Sequence, residues 1–423
     1  MSKFDKGRTS KLIDLCESIT DCHHSTPKWT NEGKIVIRNF NIKNGKLLLD
    51  EISYTDEATY QERISRSQPY PGDLIITREA PMGEVCIIPD GIECCLGQRL
   101  VLIKPNLNKI NNKYLLYALL SEYTQKQIQQ SNNTGSIVSN LRIPLLKNLD
   151  IPLNNNQDKI AAVLSYLDDK IEINNRINSE LENLAKTIYD YWFVQFDFPD
   201  ENGKPYKSSG GKMVYNQELK REIPAGWEVK KLGNFGVFKN GVNYDPSQPG
   251  DTLAKIVNVR DISKSSIFIH SQELDSINLT LKEVNNYLVS NQSILIARSG
   301  IPGSTRLITD YCENTIYCGF IICFEVNDLV MKLPLFFFLK KIEKAMNSQS
   351  GGTIMKNINQ GSLKSLELPL PKELFNSSSL INFNNKIEPI LQKINLIDKQ
   401  NQQLTQLRDW LLPMLMNGQI TVK

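Results

Sequence analysis

A chain of 423 residues is too long for one ordinary hydrophobic core, so we expect two or three domains. With 40% hydrophobic and 22% charged residues, the composition is typical of a soluble globular protein, and the net charge of +3 neither requires nor excludes a polyanionic partner. The N-terminus lacks an apolar stretch of signal-peptide length, and the run LPLFFFL is too short to span a bilayer, so we expect a cytoplasmic protein.

The pattern of apolar residues predicts an alternation of modules and helices along the chain. Residues 1–153 combine short strand-like runs with one helical stretch at 111–130, and residues 156–197 are helical throughout. A loop and connector rich in Gly, Pro and Ser follows at 198–226. Strand-like runs return at 227–371, and residues 378–417 form a second helical region.

The two modules repeat the same motifs in the same order. GDLIITREAPMGEVCII is matched by NQSILIARSGIPGSTRLI about 220 positions later, and CCLGQRLVLI is matched by YCGFIICFEV. GKIVIRNFNI matches AKIVNVRDIS, and NNTGSIVSNLRIPLLKNLDIPL matches SGGTIMKNINQGSLKSLELPLP. A duplicated module indicates two similar but non-identical binding surfaces. In the helix KLPLFFFLKKIEKAMNS of the second module, we expect Phe336, Phe337 and Phe338 to be core residues.

Both helical regions carry heptads of apolar residues, which predict a coiled-coil seam. Asn178 and Asn401 occupy the same seam position in the two helices, and Asn174 lies at the other seam position of the first helix, so these residues are candidates for fixing the register. The duplication favours antiparallel pairing and an approximate two-fold axis, although the connections also permit parallel pairing. Pro413 is expected to interrupt the second helix and Gly418 to end it. The remaining seam positions are Leu164, Leu167, Ile171, Leu181, Ala185, Ile188 and Trp192, and Ile387, Ile390, Ile394, Ile397, Leu404, Arg408, Leu411 and Leu415.

Motifs for catalysis are missing from the sequence. The only histidines are His23, His24 and His270, and SSGGKM lacks the upstream glycine and the hydroxyl of a phosphate loop. The Cys-His-His run at 22–24 is the only metal-like cluster, and ordinary loop and core roles explain it better. We therefore predict no catalytic residues, no metal site and no cofactor bound by this chain.

Polar residues that recur at strand ends are the best candidates for DNA contacts. Arg78 corresponds to Arg298, and by the sequence match Arg38 corresponds to Arg260. Arginine reads guanine and asparagine reads adenine in the major groove. The alternative is that these arginines form structural ion pairs. The residues that follow them are candidates too: Asn39, Asp261 and Ser299.

A small-residue loop in each module forms a second candidate surface. Its backbone amides and hydroxyls suit phosphate contacts, although a plain turn also explains the composition. Nearby polar side chains are expected to reach bases. The loop candidates are Thr134, Gly135, Ser136 and Thr353, and the base-reading candidates are Asn140, Lys356 and Asn357.

The string LENLAKTIYDYWFVQFDFPDENGKPYKSSGGKMVYNQELKREIPAGWEVKKL resembles the central region of the specificity subunit of type I restriction-modification enzymes. The C-terminal LTQLRDWLLPMLMNGQITV resembles the end of the same family, and both helical regions match it closely. The modules match only in layout.

The resemblance implies a non-catalytic protein in which two mixed α/β target recognition domains are joined by an antiparallel pair of long helices. Each domain would read one half of an asymmetric DNA site, and the helices would set the spacer. Two methyltransferase subunits would bring S-adenosylmethionine and methylate adenine, and restriction subunits would join with ATP and magnesium. The alternative hypothesis is a protein-binding adaptor with duplicated modules on a coiled-coil strut.

Overall fold

The computed structural model describes residues 9–130, 140–245, 250–310, 313–348, 358–374 and 377–422. Its contacts divide the chain into two compact units. Unit 1 comprises Met1–Asn174 with Gln400–Lys423, and unit 2 comprises Asn175–Lys399. The boundaries fall inside two long helices, Gln157–Tyr189 and Ser378–Met416, so each unit combines one module with part of both helices.

The module of unit 1 is built on two sheets. One has the strand order Cys16–Asp21, Leu100–Pro105, Leu74–Thr77, Val85–Ile87, and the other has the order Cys94–Leu96, Lys34–Ile37, Ser53–Thr55, Trp29–Thr30. The remaining strands pair as Thr9–Lys11 with Asp150–Pro152 and as Ile42–Lys43 with Lys46–Leu47. The helices of the module are Glu57–Ile64, Asn112–Leu120, Glu122–Gln130 and Ile143–Lys147, with 3-10 turns at Leu12–Leu15 and Asn39–Asn41.

The module of unit 2 repeats this order. Its larger sheet is Gly236–Asn240, Ile321–Val326, Ser293–Ala297, Thr305–Thr309, Phe268–His270, and its smaller sheet is Asp275–Leu279, Thr252–Val257, Thr315–Tyr317. Further strand pairs are Trp227–Lys231 with Glu367–Pro371 and Met213–Asn216 with Arg221–Pro224. The helices are Val259–Lys264, Leu281–Asn286, Leu329–Ser348 and Gln360–Lys364, with 3-10 turns at Leu232–Phe235 and Ser271–Glu273. A short π-helix at Asp190–Val194 continues the first long helix.

The strands Leu74–Thr77 and Ser293–Ala297 are buried along their whole length and largely apolar. Leu74–Thr77 and Ser293–Ala297 each lie between two neighbouring strands, with one face against the module helices. A strand covered on both faces reads as a continuous apolar run, which is why LIIT and SILIA show no alternation. Each of these strands delivers an arginine to its carboxyl end.

The helical stretch expected at 111–130 consists of two helices. Asn112–Leu120 ends at Ser121, whose backbone is extended (φ −62°, ψ 149°). The Ser121 hydroxyl oxygen accepts a hydrogen bond from the Thr124 N–H at 3.4 Å, so serine caps the second helix. In the second module, Leu329–Ser348 is one helix, and Phe336, Phe337 and Phe338 are buried in the core as predicted.

The long helices pair antiparallel within each unit. In unit 1, Asn174 Nδ2 donates to Asn401 Oδ1 at 2.8 Å and to Gln400 Oε1 at 2.9 Å, whereas Asp168 contacts Arg408. In unit 2, Asn178 Nδ2 donates to Asp398 Oδ1 at 2.6 Å. Higher residue numbers on the first long helix therefore lie opposite lower residue numbers on the second.

The heptad seam is confirmed, because its predicted positions are all buried or half-buried. One expectation was wrong: the second long helix does not stop at Pro413 but continues to Met416, because a proline in the last turn leaves few hydrogen bonds to lose. Gly418 follows with φ +70°, as expected for a residue that ends a helix. The predicted fold class is confirmed: two mixed α/β modules and two long antiparallel helices.

Candidate nucleic-acid interface

In unit 1, Arg78 lies at the end of the central strand and is held by protein groups. Its Nη1 contacts both carboxylate oxygens of Asp21, at 2.7 and 2.9 Å. Its Nε donates to the Leu141 carbonyl at 3.2 Å, and its Nη2 donates to Asn140 Oδ1 at 3.2 Å. Only 12% of the Arg78 side chain is exposed. The guanidinium is therefore largely neutralised and fixes the position of Asn140.

Beside Arg78, the network continues to the surface. Asn140 Nδ2 donates to Glu79 Oε1 at 2.7 Å, and Arg99 Nε lies 3.3 Å from Glu79 Oε2. The Arg99 side chain is 54% exposed. The structure thus brings together two of the predicted residues, Arg78 and Asn140. The network ends at the surface with the exposed Arg99.

In unit 2, Arg298 directly follows the equivalent strand Ser293–Ala297. The Arg78 N–H donates to the Arg99 carbonyl and the Arg298 N–H donates to the Phe320 carbonyl, both at 2.8 Å, so Phe320 takes the place of Arg99. The Arg298 side chain is half-buried, and it forms no hydrogen bond or ion pair with the part of the chain that the structure describes. Its charge is not compensated there.

The strand register explains this difference. Asp21 lies opposite Val101, which pairs with Ile76, two residues before Arg78. Asn240 lies opposite Ile322, which pairs with Ile296, two residues before Arg298. Unit 2 therefore has a neutral amide where unit 1 has the carboxylate that binds arginine.

The structure corrects the correspondence between Arg38 and Arg260. Asn41 Oδ1 accepts from the Arg38 N–H at 2.9 Å, and Asp261 Oδ2 accepts from the Asn258 N–H at 2.8 Å. These two capping contacts align Arg38 with Asn258, and Asn41 with Asp261. The sequence match was displaced because the short turns after the two strands differ in sequence while the capping geometry is retained.

The surroundings of these residues also differ. Arg38 is exposed, and its guanidinium lies over the rings of Trp29 (5.1 Å) and Phe40 (4.7 Å). Asn39 Nδ2 donates to the Ala80 carbonyl at 2.5 Å, which ties this turn to the Arg78 strand end.

In unit 2, Arg260 is paired with the carboxylate of Asp275 and lies 3.7 Å from Asp261. The Asp261 carboxylate caps the helix Val259–Lys264, so it has a structural role in addition to any DNA contact. The adjacent candidate Ser299 is half-buried beside Arg298.

Six candidates lie outside the described residues, so their predictions stay untested: Thr134, Gly135, Ser136, Thr353, Lys356 and Asn357.

Sequence reasoning missed four exposed residues at these surfaces. Trp29 and Phe40 are 44% and 43% exposed, and Phe320 is 62% exposed. Arg99 and Phe320 could have been found from the sequence, because both lie just after the glycine of the repeated segments CCLGQRL and YCGFII. Trp29 lies nine residues before Arg38, and no strand or helix periodicity connects them.

Within the described ranges, no three His, Cys, Asp or Glu side chains are grouped so that they could hold a metal ion. His24 instead lies 3.2 Å from Asp21, and Cys22 is buried. No helix in those ranges is long and apolar enough to cross a membrane.

Comparison with known proteins identifies the class of molecule. The family model of the type I restriction modification DNA specificity domain matches residues 6–183 and again residues 224–406. The chain belongs to this type I specificity family. Each matched segment contains one module and the following part of a long helix.

Relatives and structures of type I specificity subunits agree with this assignment. The MjaIX specificity subunit of Methanocaldococcus jannaschii is 29% identical over 83% of this chain and 78% of its own length. The HindI specificity subunit of Haemophilus influenzae is 24% identical over 91% and 94%. The fold is similar to the crystal structure of the type I system S subunit from M. genitalium, with a TM-score of 0.54 and 16% identity over 98% of both chains.

Membership of the type I specificity family confirms two predictions. The chain is a DNA sequence-recognition subunit with duplicated recognition domains, and it is non-catalytic, because in this family catalysis belongs to the partner subunits. The adaptor hypothesis is therefore not needed to explain the duplication.

Proposed function

We propose that the recognition domains at 1–153 and 227–371 each read one half of an asymmetric DNA site, and that the paired long helices set the unread spacer between the halves. The observation that carries this proposal is the pair of equivalent strand ends at Arg78 and Arg298, which have the same backbone contacts and different polar neighbours. Surfaces that are equivalent in position and different in chemistry suit two different half-sites.

At the first surface, we propose that Arg38, Asn39, Arg78, Asn140 and the Thr134–Ser136 loop contact DNA. Arg78 would act by holding Asn140, because its own donors are occupied. The exposed Arg38 would contact base edges or phosphates directly.

At the second surface, we propose that Arg298 is the main reader, because its charge has no partner among the residues described. Ser299 and Thr353 would support it with hydroxyls, and Lys356 and Asn357 would reach bases from the loop. Arg260 and Asp261 would contribute at the edge.

We also propose that two methyltransferase subunits dock on the helices and that restriction subunits join them. Support comes from exposed apolar side chains on the helix faces away from the seam. In unit 1 these include Tyr166 and Trp410, which are 73% and 54% exposed, and in unit 2 they include Leu396, which is 60% exposed. Apolar residues exposed at helical spacing suit a partner helix. S-adenosylmethionine, ATP and magnesium would be bound by those subunits, in the cytoplasm where the DNA lies.

The test is the methylation pattern in genomic DNA of cells that carry this chain with its partner subunits. A split, asymmetric adenine-methylation motif that is absent when the chain is deleted supports the proposal. A continuous or palindromic motif contradicts it. Binding of the purified chain to duplex DNA should also weaken as salt rises, because phosphate contacts release counterions. Absence of salt-dependent duplex binding would favour a protein adaptor.

A further inference from the structure

Arg99 and Phe320 hold the same position in the two recognition modules. The Arg99 carbonyl accepts the N–H of Arg78, and the Phe320 carbonyl accepts the N–H of Arg298, both at 2.8 Å. In both modules the next residue begins a strand of the larger sheet and is fully buried. Arg99 and Phe320 therefore stand at the rim of equivalent strand ends, and they differ in the chemistry of their side chains.

The turn at Arg99 does not itself call for an arginine. Its φ is +67°, in the left-handed region where glycine is favoured and a long side chain is uncommon. The side chain is 54% exposed, so it adds little to the packing of the module. Because glycine would form this turn at lower cost, the guanidinium is better explained by a contact outside the chain.

Glu79 orients the Arg99 guanidinium. Arg99 Nε lies 3.3 Å from Glu79 Oε2, and Glu79 Oε1 accepts a hydrogen bond from Asn140 Nδ2 at 2.7 Å. Asn140 is in turn held by Arg78. Nη1 and Nη2 of Arg99 form no hydrogen bond or ion pair within the described ranges. The network thus holds Nε and leaves a fork of two nitrogen donors at the surface.

A fork of two donors fits the edge that guanine presents in the major groove. Guanine offers two acceptors there, O6 and N7, whereas adenine offers one acceptor beside a donor and cytosine offers a donor. The planar guanidinium can bind both acceptors of guanine at once. Arg99 is therefore suited to select guanine.

Phe320 brings an apolar ring to the same position. Its side chain is 62% exposed, and it packs against no other aromatic ring in the described part of the chain. A single exposed phenylalanine is ordinary on a protein surface, but this one adjoins Arg298 through its backbone. A ring cannot donate a conventional hydrogen bond. In the major groove, its apolar partner is the C5 methyl group that thymine carries and cytosine lacks.

We propose that this shared position determines one base in each half-site: Arg99 reads a guanine through O6 and N7, and Phe320 reads a thymine through its methyl group. The proposal rests on the proposed function, because DNA must lie against the strand ends at Arg78 and Arg298. It makes Glu79 a positioning residue, which acts on the base only through Arg99.

The first experiment is selection by the full chain from duplexes of random sequence. Arg99→Gly removes the fork and suits the left-handed turn, so this variant should fold, which thermal melting checks. Its preference for one guanine in one half-site should fall at least about fivefold, with the other half-site unchanged. Phe320→Ala should reduce the preference for one thymine in the other half-site by about fourfold. Leu253→Ala is the matched control, because Leu253 is also 62% exposed in the same module, and it should change neither preference.

The second experiment replaces single atoms of the selected duplex. At the guanine, 7-deazaguanine removes the N7 acceptor, which should weaken binding by the wild type about fivefold and leave Arg99→Gly unaffected. At the thymine, uracil removes only the methyl group, which should weaken wild-type binding about fourfold and leave Phe320→Ala unaffected. An arginine that contacts only phosphate would be insensitive to the loss of N7.

Each assignment can fail by itself. If Arg99→Gly keeps the guanine preference, or if the wild type tolerates 7-deazaguanine at every guanine of that half-site, Arg99 does not read guanine. The same outcomes with Phe320→Ala and uracil reject the assignment of Phe320, as does an equal loss in Leu253→Ala. Absence of any split motif in the wild-type selection would contradict the proposed function itself, whereas a split motif that both variants read unchanged would contradict this inference alone.

Discussion

Arg78 and Arg298 follow equivalent strands in the two units. Among the residues that the structure describes, Arg78 lies against the carboxylate of Asp21, whereas Arg298 lies against none. In unit 2, Asn240 takes the position of Asp21. One arginine thus orients Asn140, whereas the other has no charged partner within the described ranges. The duplicated module has acquired two chemistries at one backbone position through a single partner residue.

Replacing each arginine by alanine should separate these roles. Arg298→Ala should weaken binding of one half-site by roughly 1–3 kcal/mol and leave the free energy of unfolding unchanged. Arg78→Ala should also weaken its half-site, but it should in addition lower the free energy of unfolding by about 1–3 kcal/mol, because Asp21 and Asn140 lose their partner. Duplex binding with each half-site altered in turn, together with urea denaturation, measures both effects. Unchanged sequence preference in both variants would reject the assignment.

Supplying unit 2 with the missing carboxylate should neutralise Arg298. Asn240→Asp is expected to lower affinity for the second half-site by about tenfold, because the new carboxylate competes with DNA for the guanidinium. Asn240→Ser is the neutral control, and its affinity should stay within about twofold of the wild type. If Asn240→Asp binds the half-site as tightly as Asn240→Ser does, Arg298 is not a reader.

The sequence predicts the fold well where patterns are local or repeated. The heptad seam and the apolar central strands follow from spacing alone, and each predicted seam position is at least half-buried. The site is less predictable, because its partners come from distant segments. Asp21 lies 57 residues before Arg78, and nothing in either segment connects them. The capping contacts that align Arg38 with Asn258 involve different residue types, so matching letters placed Arg38 against Arg260.

The ion pair between Arg408 and Asp168 should stabilise unit 1, because each side chain compensates the charge of the other in the partly buried helix seam. Arg408 Nη1 lies 2.7 Å from Asp168 Oδ1, and the Tyr117 hydroxyl donates to Asp168 Oδ2 at 2.6 Å. Asp168→Ala should lower the free energy of unfolding by about 1–3 kcal/mol, a value reduced for partial exposure, because Tyr117 loses its hydrogen-bond acceptor and Arg408 keeps only the carboxylate of Asp409. Arg408→Met should cost a similar amount, because the Asp168 carboxylate then keeps only the Tyr117 hydroxyl. The exposed neighbour variant Asp169→Ala is the control in urea denaturation, and an equal loss there would contradict the assignment.

Buried cysteines should make the protein less stable in alkali. Burial raises the pKa of the Cys16 and Cys94 thiols from 9.0 to about 12, and that of Cys95 to about 11. Above pH 9 the unfolded chain releases these protons while the native protein keeps them, so the free energy of unfolding falls as pH rises toward 12. Denaturation between pH 8 and 9 measures the slope before tyrosines, whose ordinary pKa is about 10, contribute appreciably. A Cys94→Ala/Cys95→Ala variant should show a shallower slope, and an unchanged slope would contradict this origin.

If the long helices set the spacer, a matched deletion should shorten it. Removing Ile171–Ile177 alone takes away Asn174 and leaves Asn401 and Gln400 without it, so this variant should change the spacer and lose stability. Removing Lys399–Thr405 as well preserves the contacts of Asn178 with Asp398 and of Asp168 with Arg408. Each helix then loses one heptad, which is about 10 Å at ~1.5 Å per residue.

The double deletion should therefore shorten the spacer by about three base pairs, at ~3.4 Å per base pair, with both half-sites unchanged. The readout is selection from duplexes with randomised spacers, or the methylation motif when partner subunits are present. The half-sites serve as the internal control, because the strand ends that read them are untouched. A variant that folds and keeps the original spacer would refute the proposal that the helices set the spacer. Altered half-sites would instead mean that the helices contact bases, although their exposed residues are expected to meet partner subunits.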